Sequence, residues 1–230
     1  FTGTYDASPA RGQPFGRNDK TGDARISGAL ASLAGLETAL VTGDEAAVQR
    51  SIDIILLLHS MIMSFGGIPL LYYGDETGTL NDCTFLEDES KANDNRWMHR
   101  PKIDWEKVAL RHQHGTVEQR IFEGLKKLIA VRKSTTAFAD YNNRQLLDTE
   151  NPHLFVFTRN NPFLLNNTVL VVGNFDSKPQ SLTLSQLRSH SAFEYSQLRD
   201  LYSGESPTLF KDQLVIPPFR FYWLSDRGLN

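Results

Sequence analysis

Cysteine is almost missing from these 230 residues, with Cys83 the only one. A single thiol excludes an intrachain disulfide framework and favours a cytoplasmic over a secreted bacterial setting. An excess of one charge is lacking too. The chain carries 24 Lys and Arg against 27 Asp and Glu, for a formal net charge of −3. That balance leaves no electrostatic footprint for nucleic acid or an anionic membrane, and neither partner is expected. Long apolar runs are absent as well: the run at 54–58 stops at His59 and Ser60, far short of the roughly 20 residues of a membrane-spanning helix. No internal repeat or low-complexity tract occurs, which excludes solenoids and propellers. The opening Phe1-Thr2-Gly3-Thr4-Tyr5 has no initiator Met and no signal pattern, so the sequence reads as starting inside something longer.

What is present suits a folded chain. A hydrophobic content of 40% and a charged content of 22% supply enough apolar surface for a sizeable core and argue against disorder. Residues 1–27 are rich in Gly, Pro, Asp and Arg and read as one long irregular excursion. Leu30, Leu33, Leu36 and Leu40 then fall at helical spacing and predict a short packed helix. Thr42-Gly43-Asp44-Glu45 supplies a cap and first-turn acids for a second helix ending near Ser64, with Val48, Ile52, Ile55, Leu56, Ile62 and Met63 on its buried face.

Gly66-Gly67 ends that helix, and Ile68-Pro69-Leu70-Leu71-Tyr72-Tyr73 follows with no polar residue to alternate against. Such a run predicts a central parallel strand buried on both faces, although Pro69 withholds a ladder donor. Helix, glycine turn and buried strand together predict a parallel α/β architecture. From Gly74 to about Val108 the sequence is polar, acidic and aromatic without a period, and a further helix spans 116–132. Past Ser134 the texture turns to short β-rich runs at 154–158, 168–173, 181–184, 214–216 and 220–224, divided by Asn, Pro and Asp clusters. An antiparallel sheet or small sandwich is expected there, with a domain boundary near 136.

Ligand sites gather at the C-terminal ends of parallel strands, which singles out Gly74-Asp75-Glu76 after Tyr73. Asp75 and Glu76 are adjacent, so in an extended segment they point to opposite sides and are badly placed to flank one glycosidic bond. Loop anchoring is the simpler role. His112-Gln113-His114 lacks metal-site spacing, the acidic loop does not follow a calcium-loop pattern, and Cys83 sits among acids that disfavour a thiolate. No metal and no cofactor is expected.

The run from Gly66 to Glu76 resembles the last barrel strand of the α-amylase superfamily, with its Gly-x-Pro-x-x-Tyr-x-Gly-Asp-Glu pattern. Thr21-Gly22-Asp23-Ala24-Arg25-Ile26-Ser27-Gly28, Gly78-Thr79-Leu80-Asn81-Asp82 and Asn93-Asp94-Asn95-Arg96-Trp97-Met98-His99-Arg100-Pro101 are similar to amylosucrase signatures within that superfamily. The resemblance implies an α/β fold in which 1–136 is the C-terminal portion of a (β/α)8 TIM barrel: the end of the insert after strand 7, helix 7, strand 8 and helix 8. Residues 137–230 would be an all-β, sandwich-like C-terminal domain.

It further implies a retaining α-glucosyl transferase that cleaves sucrose, releases fructose and passes glucose to an α-1,4-glucan. A sucrose hydrolase of the same family and a non-catalytic carbohydrate-binding module are the alternatives. Retention requires two carboxyl groups about 5 Å apart, and the resemblance places all three catalytic carboxylates before Phe1. The chain alone is therefore expected to hold no catalytic residue, to be inactive, and to need the N-terminal part of the same barrel as partner.

Within the chain the resemblance assigns substrate contacts to Arg96 and Arg25. Arg96 would sit at the floor of the glucosyl pocket and Arg25 on the fructosyl or acceptor side, with Asp94, Asp23 and Trp97 beside them. A guanidinium fork suits sugar hydroxyls and carboxylates alike, so an ion pair inside the acidic loop for Arg96, and one from Arg25 to Asp23 or Asp19, remain open.

Overall fold

The structure is a computed structural model that describes residues 8–161, 168–185 and 197–226. Residues 1–7 of the expected excursion, and Pro162 of one expected turn cluster, lie outside these. Contacts divide the chain into two compact units, Phe1–Ile55 with Leu71–Glu123 and Leu56–Leu70 with Gly124–Asn230.

In the first unit, strands β1 (Gln13–Phe15) and β2 (Arg25–Ser27) pair antiparallel, with Phe15 opposite Arg25 and Gln13 opposite Ser27. The excursion expected to be irregular is thus a hairpin. Its turn is closed by Asn18, whose side chain accepts from the Lys20 and Thr21 N–H groups and whose own N–H donates to the Asp23 carbonyl at 2.7 Å. The helix expected over 28–40 is two pieces, α1 (Leu30–Leu33) and α2 (Leu36–Thr42), joined through Ala34-Gly35. Helix α3 (Glu45–Phe65) starts where predicted, with the Asp44 carboxylate accepting from the Ala47 N–H at 3.0 Å.

Ala31, Leu36, Ala39, Val48, Ile52, Ile55, Phe85, Met98 and Ile121 supply this unit's buried apolar residues. Beyond Tyr73 the chain runs in 3-10 turns at Asp75–Thr77, Thr84–Glu87 and Asn95–His99. The short helix α4 (Trp105–Ala109) follows, started by the Asp104 carboxylate accepting from Glu106 and Lys107 N–H groups at 3.1 Å.

Helix α5 (Val117–Ser134) begins with the Thr116 hydroxyl accepting from the Gln119 N–H and ends in Arg132 and Lys133, the polarity a helix dipole favours. By length and composition alone α3 is apolar enough to cross a bilayer, with a mean hydropathy of 1.4. No single apolar run announces this, because polar residues are interspersed along the helix. Ser51, His59, Ser60 and Ser64 on α3 are all buried in the protein, and a core helix passes the same test.

The second unit holds the expected antiparallel sheets. Strands β3 (Arg144–Leu147), β4 (Leu154–Asn160), β5 (Thr168–Asn174), β6 (Gln180–Thr183), β7 (Arg199–Asp200), β8 (Leu209–Phe210), β9 (Gln213–Ile216) and β10 (Phe221–Ser225) form two sheets, ordered β3-β4-β5-β10-β7 and β6-β9-β8. Residues alternating along β4 and β5 sort to two faces. Val156, Leu170, Val172 and Leu224 join Leu182, Leu214 and Ile216 from the other sheet in one core, which makes a sandwich.

On the opposite face Phe155 and Phe157 meet Phe65. Gly173 has no side chain there for a physical reason: a Cβ would come within 3.1 Å of Leu57 and 3.2 Å of Met61. Arg159 on β4 is fully buried. Its guanidinium donates to the carbonyls of Ser64 and Asp140 and to the side-chain oxygen of Asn143. Burial pushes it down to about 10, still charged at neutral pH. Arg132 likewise donates to the carbonyls of Met63 and Gly67, so two cations close the C-terminal end of α3.

One expected strand is absent. Among the described residues nothing pairs with 68–73, and Ile68 and Leu70 are 84% and 80% exposed rather than buried on both faces. A parallel strand needs neighbours on its hydrogen-bonding edges. Gly66 ends the helix at φ 125°, where a Cβ would sit 2.5 Å from the Tyr141 carbonyl oxygen, so the exit from α3 is built for glycine whether or not a strand follows.

Candidate functional site

The two motifs that carry the predicted arginines lie far apart in sequence and are brought together in the first unit by asparagines. Asn95 donates from Nδ2 to the Pro14 carbonyl at 2.7 Å and accepts from the Ser27 hydroxyl at 3.0 Å. The hairpin is thereby held on the Asn95–His99 turn. The Asn81 side chain accepts from the Ala29 N–H at 2.7 Å and donates to the Arg11 carbonyl at 2.6 Å, while its backbone N–H donates to the Ser32 hydroxyl oxygen at 2.9 Å. A further bond joins the Asp82 N–H to the Met98 carbonyl. The bonds made by the two asparagines span 49 to 81 residues of sequence.

Arg96 forms a two-pronged pair with Asp94: Nε to Oδ1 at 2.8 Å and Nη2 to Oδ2 at 2.7 Å, while the Arg96 N–H donates to the same Oδ1. The guanidinium holds the Asp94 carboxyl down at about 2. It also stands 5.0 Å above the Phe15 ring, and Phe15 is the cross-strand partner of Arg25. Arg96 thus stacks on the ring while Arg25 lies directly across the hairpin from Phe15, on the same face, and Arg25 is exposed. Asp23 contributes its backbone N–H to the Thr21 hydroxyl at 3.3 Å and its carbonyl to the turn. Trp97 is flanked by Lys91 at 5.3 Å and Arg100 at 5.6 Å.

The sequence assigns no role to Phe15, or to Asn81 and Asn95 within their motifs: a three-residue strand holding Pro14 shows no alternation, and an asparagine's long-range staple leaves no local pattern.

Among the described residues, a larger and a smaller cavity lie in the same unit, and the five predicted residues line neither of them. The larger, about 420 Å³, is bordered by 73–83 and 101–111, with Tyr73, Trp105 and Ile103 among its apolar walls. The smaller, about 300 Å³, is lined by Ala29, Leu33, Tyr72, Asp75, His99 and others. Tyr73, Gly74, Thr79 and Pro101 border both cavities, and the Tyr73 hydroxyl donates to the Pro101 carbonyl at 3.3 Å.

In the smaller cavity, burial and the neighbouring Glu76 push Asp75 up to about 6, against a backbone hydrogen bond from Tyr72. Burial and then Arg100 push His99 down, and its Nδ1 is buried without a hydrogen-bond partner. Glu76 itself accepts from the Gly74 N–H at 2.8 Å, a loop-anchoring bond. The Cys83 thiol is pushed up by burial, Glu37 and Asp82. Among the described residues no three His, Cys, Asp or Glu side chains gather as a metal site.

Residues 144–223 match the family described as maltogenic amylase, C-terminal domain. The chain is 24% identical over 170 residues to the glucosylglycerate phosphorylase of Escherichia coli K12, covering 74% of this chain and 27% of that protein. It is 28% identical over 193 residues to the trehalose synthase/amylase TreS of Mycobacterium tuberculosis, covering 74% and 31%. These relatives are α-amylase-family enzymes of glycoside hydrolase family 13. Among solved structures, AmyP in complex with maltose superposes with a TM-score of 0.60 at 15% identity, covering 88% of this chain and 40% of that one. That likeness establishes the α/β fold with its antiparallel C-terminal sheet domain. The chain spans under a third of the length of either curated relative.

Proposed function

We propose that this chain is part of a retaining α-glucosyl transferase that cleaves sucrose, releases fructose and passes glucose to an α-1,4-glucan. Residues 1–136 would end its barrel and 137–230 would form its C-terminal domain. The observation that carries the reading is the stapling of the two arginine motifs around Phe15 by Asn95, in a chain whose relatives are family 13 enzymes. In this reading Arg96 and Arg25 hold sugar hydroxyls, Asp94 fixes the Arg96 fork, and Asp23 and Trp97 shape the surroundings. The nucleophile and the acid come from outside residues 1–230.

Arg96→Lys in the intact enzyme keeps the charge and loses the planar fork. Sucrose kcat/KM should fall by on the order of 100-fold; activity within about twofold of the parent would remove Arg96 from the site.

The named activities of the relatives, a phosphorylase and a trehalose synthase, favour a second reading in which the same glucosyl intermediate meets a different acceptor. Product analysis of the intact enzyme on sucrose separates the two. Glycogen elongation with little free glucose supports the transferase, free glucose indifferent to glycogen supports a hydrolase, and glucose phosphate formed only with inorganic phosphate supports phosphorolysis.

A further inference from the structure

We propose that the larger cavity of the first unit, between Tyr73 and Trp105, is a second carbohydrate site that takes a neutral oligosaccharide. This rests on the cavity itself, not on the sucrose reading, and the cavity contains neither Arg96 nor Arg25. Its volume of about 420 Å³ falls within the span of small-molecule sites, enough for one or two pyranose rings.

Three features select the ligand class. Trp105 is 71% exposed, although burying an indole is among the most favourable things a fold can do with one, and it stands with exposed Ile103 and Tyr73 at one cavity. The Asp104 cap sets where the Trp105 backbone stands, at the first residue of α4. An indole standing in the open at a cavity wall offers a flat face for the C–H side of a sugar ring.

Charge excludes a strongly ionic ligand: Lys102, Lys107 and Arg111 are matched by Glu76, Asp82 and Asp104 in the same lining. The third feature is hydroxyl recognition. Glu76, Asp82 and Asp104 are each anchored through one carboxylate oxygen to backbone N–H groups. Each keeps a second oxygen able to accept from a hydroxyl. A flat apolar face ringed by pre-oriented acceptors and balanced charge fits a polyol better than a phosphate or a hydrocarbon.

The test uses the 230-residue chain carrying 5-fluorotryptophan, whose three resonances report Trp97, Trp105 and Trp223 separately. Titrated with maltotetraose, the Trp105 resonance should shift saturably while that of buried Trp223 stays in place. Ligand-observed saturation transfer should show at least about tenfold weaker binding in Ile103→Glu and in Trp105→Ala, with unchanged Trp97 and Trp223 resonances certifying that both variants fold.

A stationary Trp105 resonance overturns the proposal, whether or not the sugar binds elsewhere. A shift confined to Trp97, beside Arg96, would also overturn it while leaving the sucrose reading intact. A Trp105 shift with inorganic phosphate but not with maltotetraose would assign the cavity to anions and sink the neutral-ligand claim.

Discussion

Asp75 shows how a residue's setting decides its chemistry. Adjacent Glu76 satisfies itself on the Gly74 N–H, while Asp75 is drawn into the smaller cavity and held at about 6. A carboxyl whose folded value lies above its unfolded value of about 3.9 binds protons more tightly when folded. Its contribution is therefore fully present below about pH 4 and is lost as pH rises toward about 6. Asp75→Asn should flatten that part of the pH–stability curve and stabilise the chain at neutral pH by on the order of 1 kcal/mol, after allowance for partial solvent screening. Urea melts across the range measure it; parallel curves for the two proteins would show that Asp75 titrates normally.

Asp94 runs the opposite way. Its paired carboxylate contributes above the ordinary carboxylate range and loses that contribution as pH falls toward about 2. The Asp94–Arg96 pair was legible because its members are two residues apart. Phe15, which completes the setting, was not, because a three-residue strand containing Pro14 shows no alternation.

Elements were readable in proportion to how local their causes are. Helices α3 and α5 follow from apolar spacing and from Asp44 and Thr116 as caps, and the structure places them within one or two residues of expectation. Strands β4, β5, β9 and β10 follow from apolar runs between turn clusters. Strands β7 and β8 are two residues each and exist only through their partners, so no pattern announces them. The segment 68–73 is the reverse case, a strong local signal without partners. Its exposed Ile68 and Leu70 are an aggregation hazard. Ile68→Lys with Leu70→Lys should raise the soluble fraction of the isolated chain several-fold. Equal solubility with and without the lysines would show that the exposed run does not drive association.

For the molecule as a whole, the fold is shared with α-amylase-family enzymes, and the chain covers 27% to 31% of its curated relatives. The carboxylate shown at Arg96, that of Asp94, is taken up by the guanidinium fork. The 230-residue chain should therefore release no fructose from sucrose above the buffer blank; measurable turnover would place the nucleophile inside it and overturn the division of labour proposed above.

The carbonyl cage around Arg159 has a consequence for the second unit. Ser64, Asp140 and Asn143 present oxygens spaced for a planar cation, so Arg159→Ala leaves a vacancy shaped like a small molecule. That variant should lose about 3 kcal/mol or more, because buried acceptors go unmet. Guanidinium ion, ordinarily a denaturant, should act on it first as a ligand. Thermal melts of Arg159→Ala are expected to rise with millimolar guanidinium chloride before falling at molar levels, whereas sodium chloride gives no rise and the parent chain only falls.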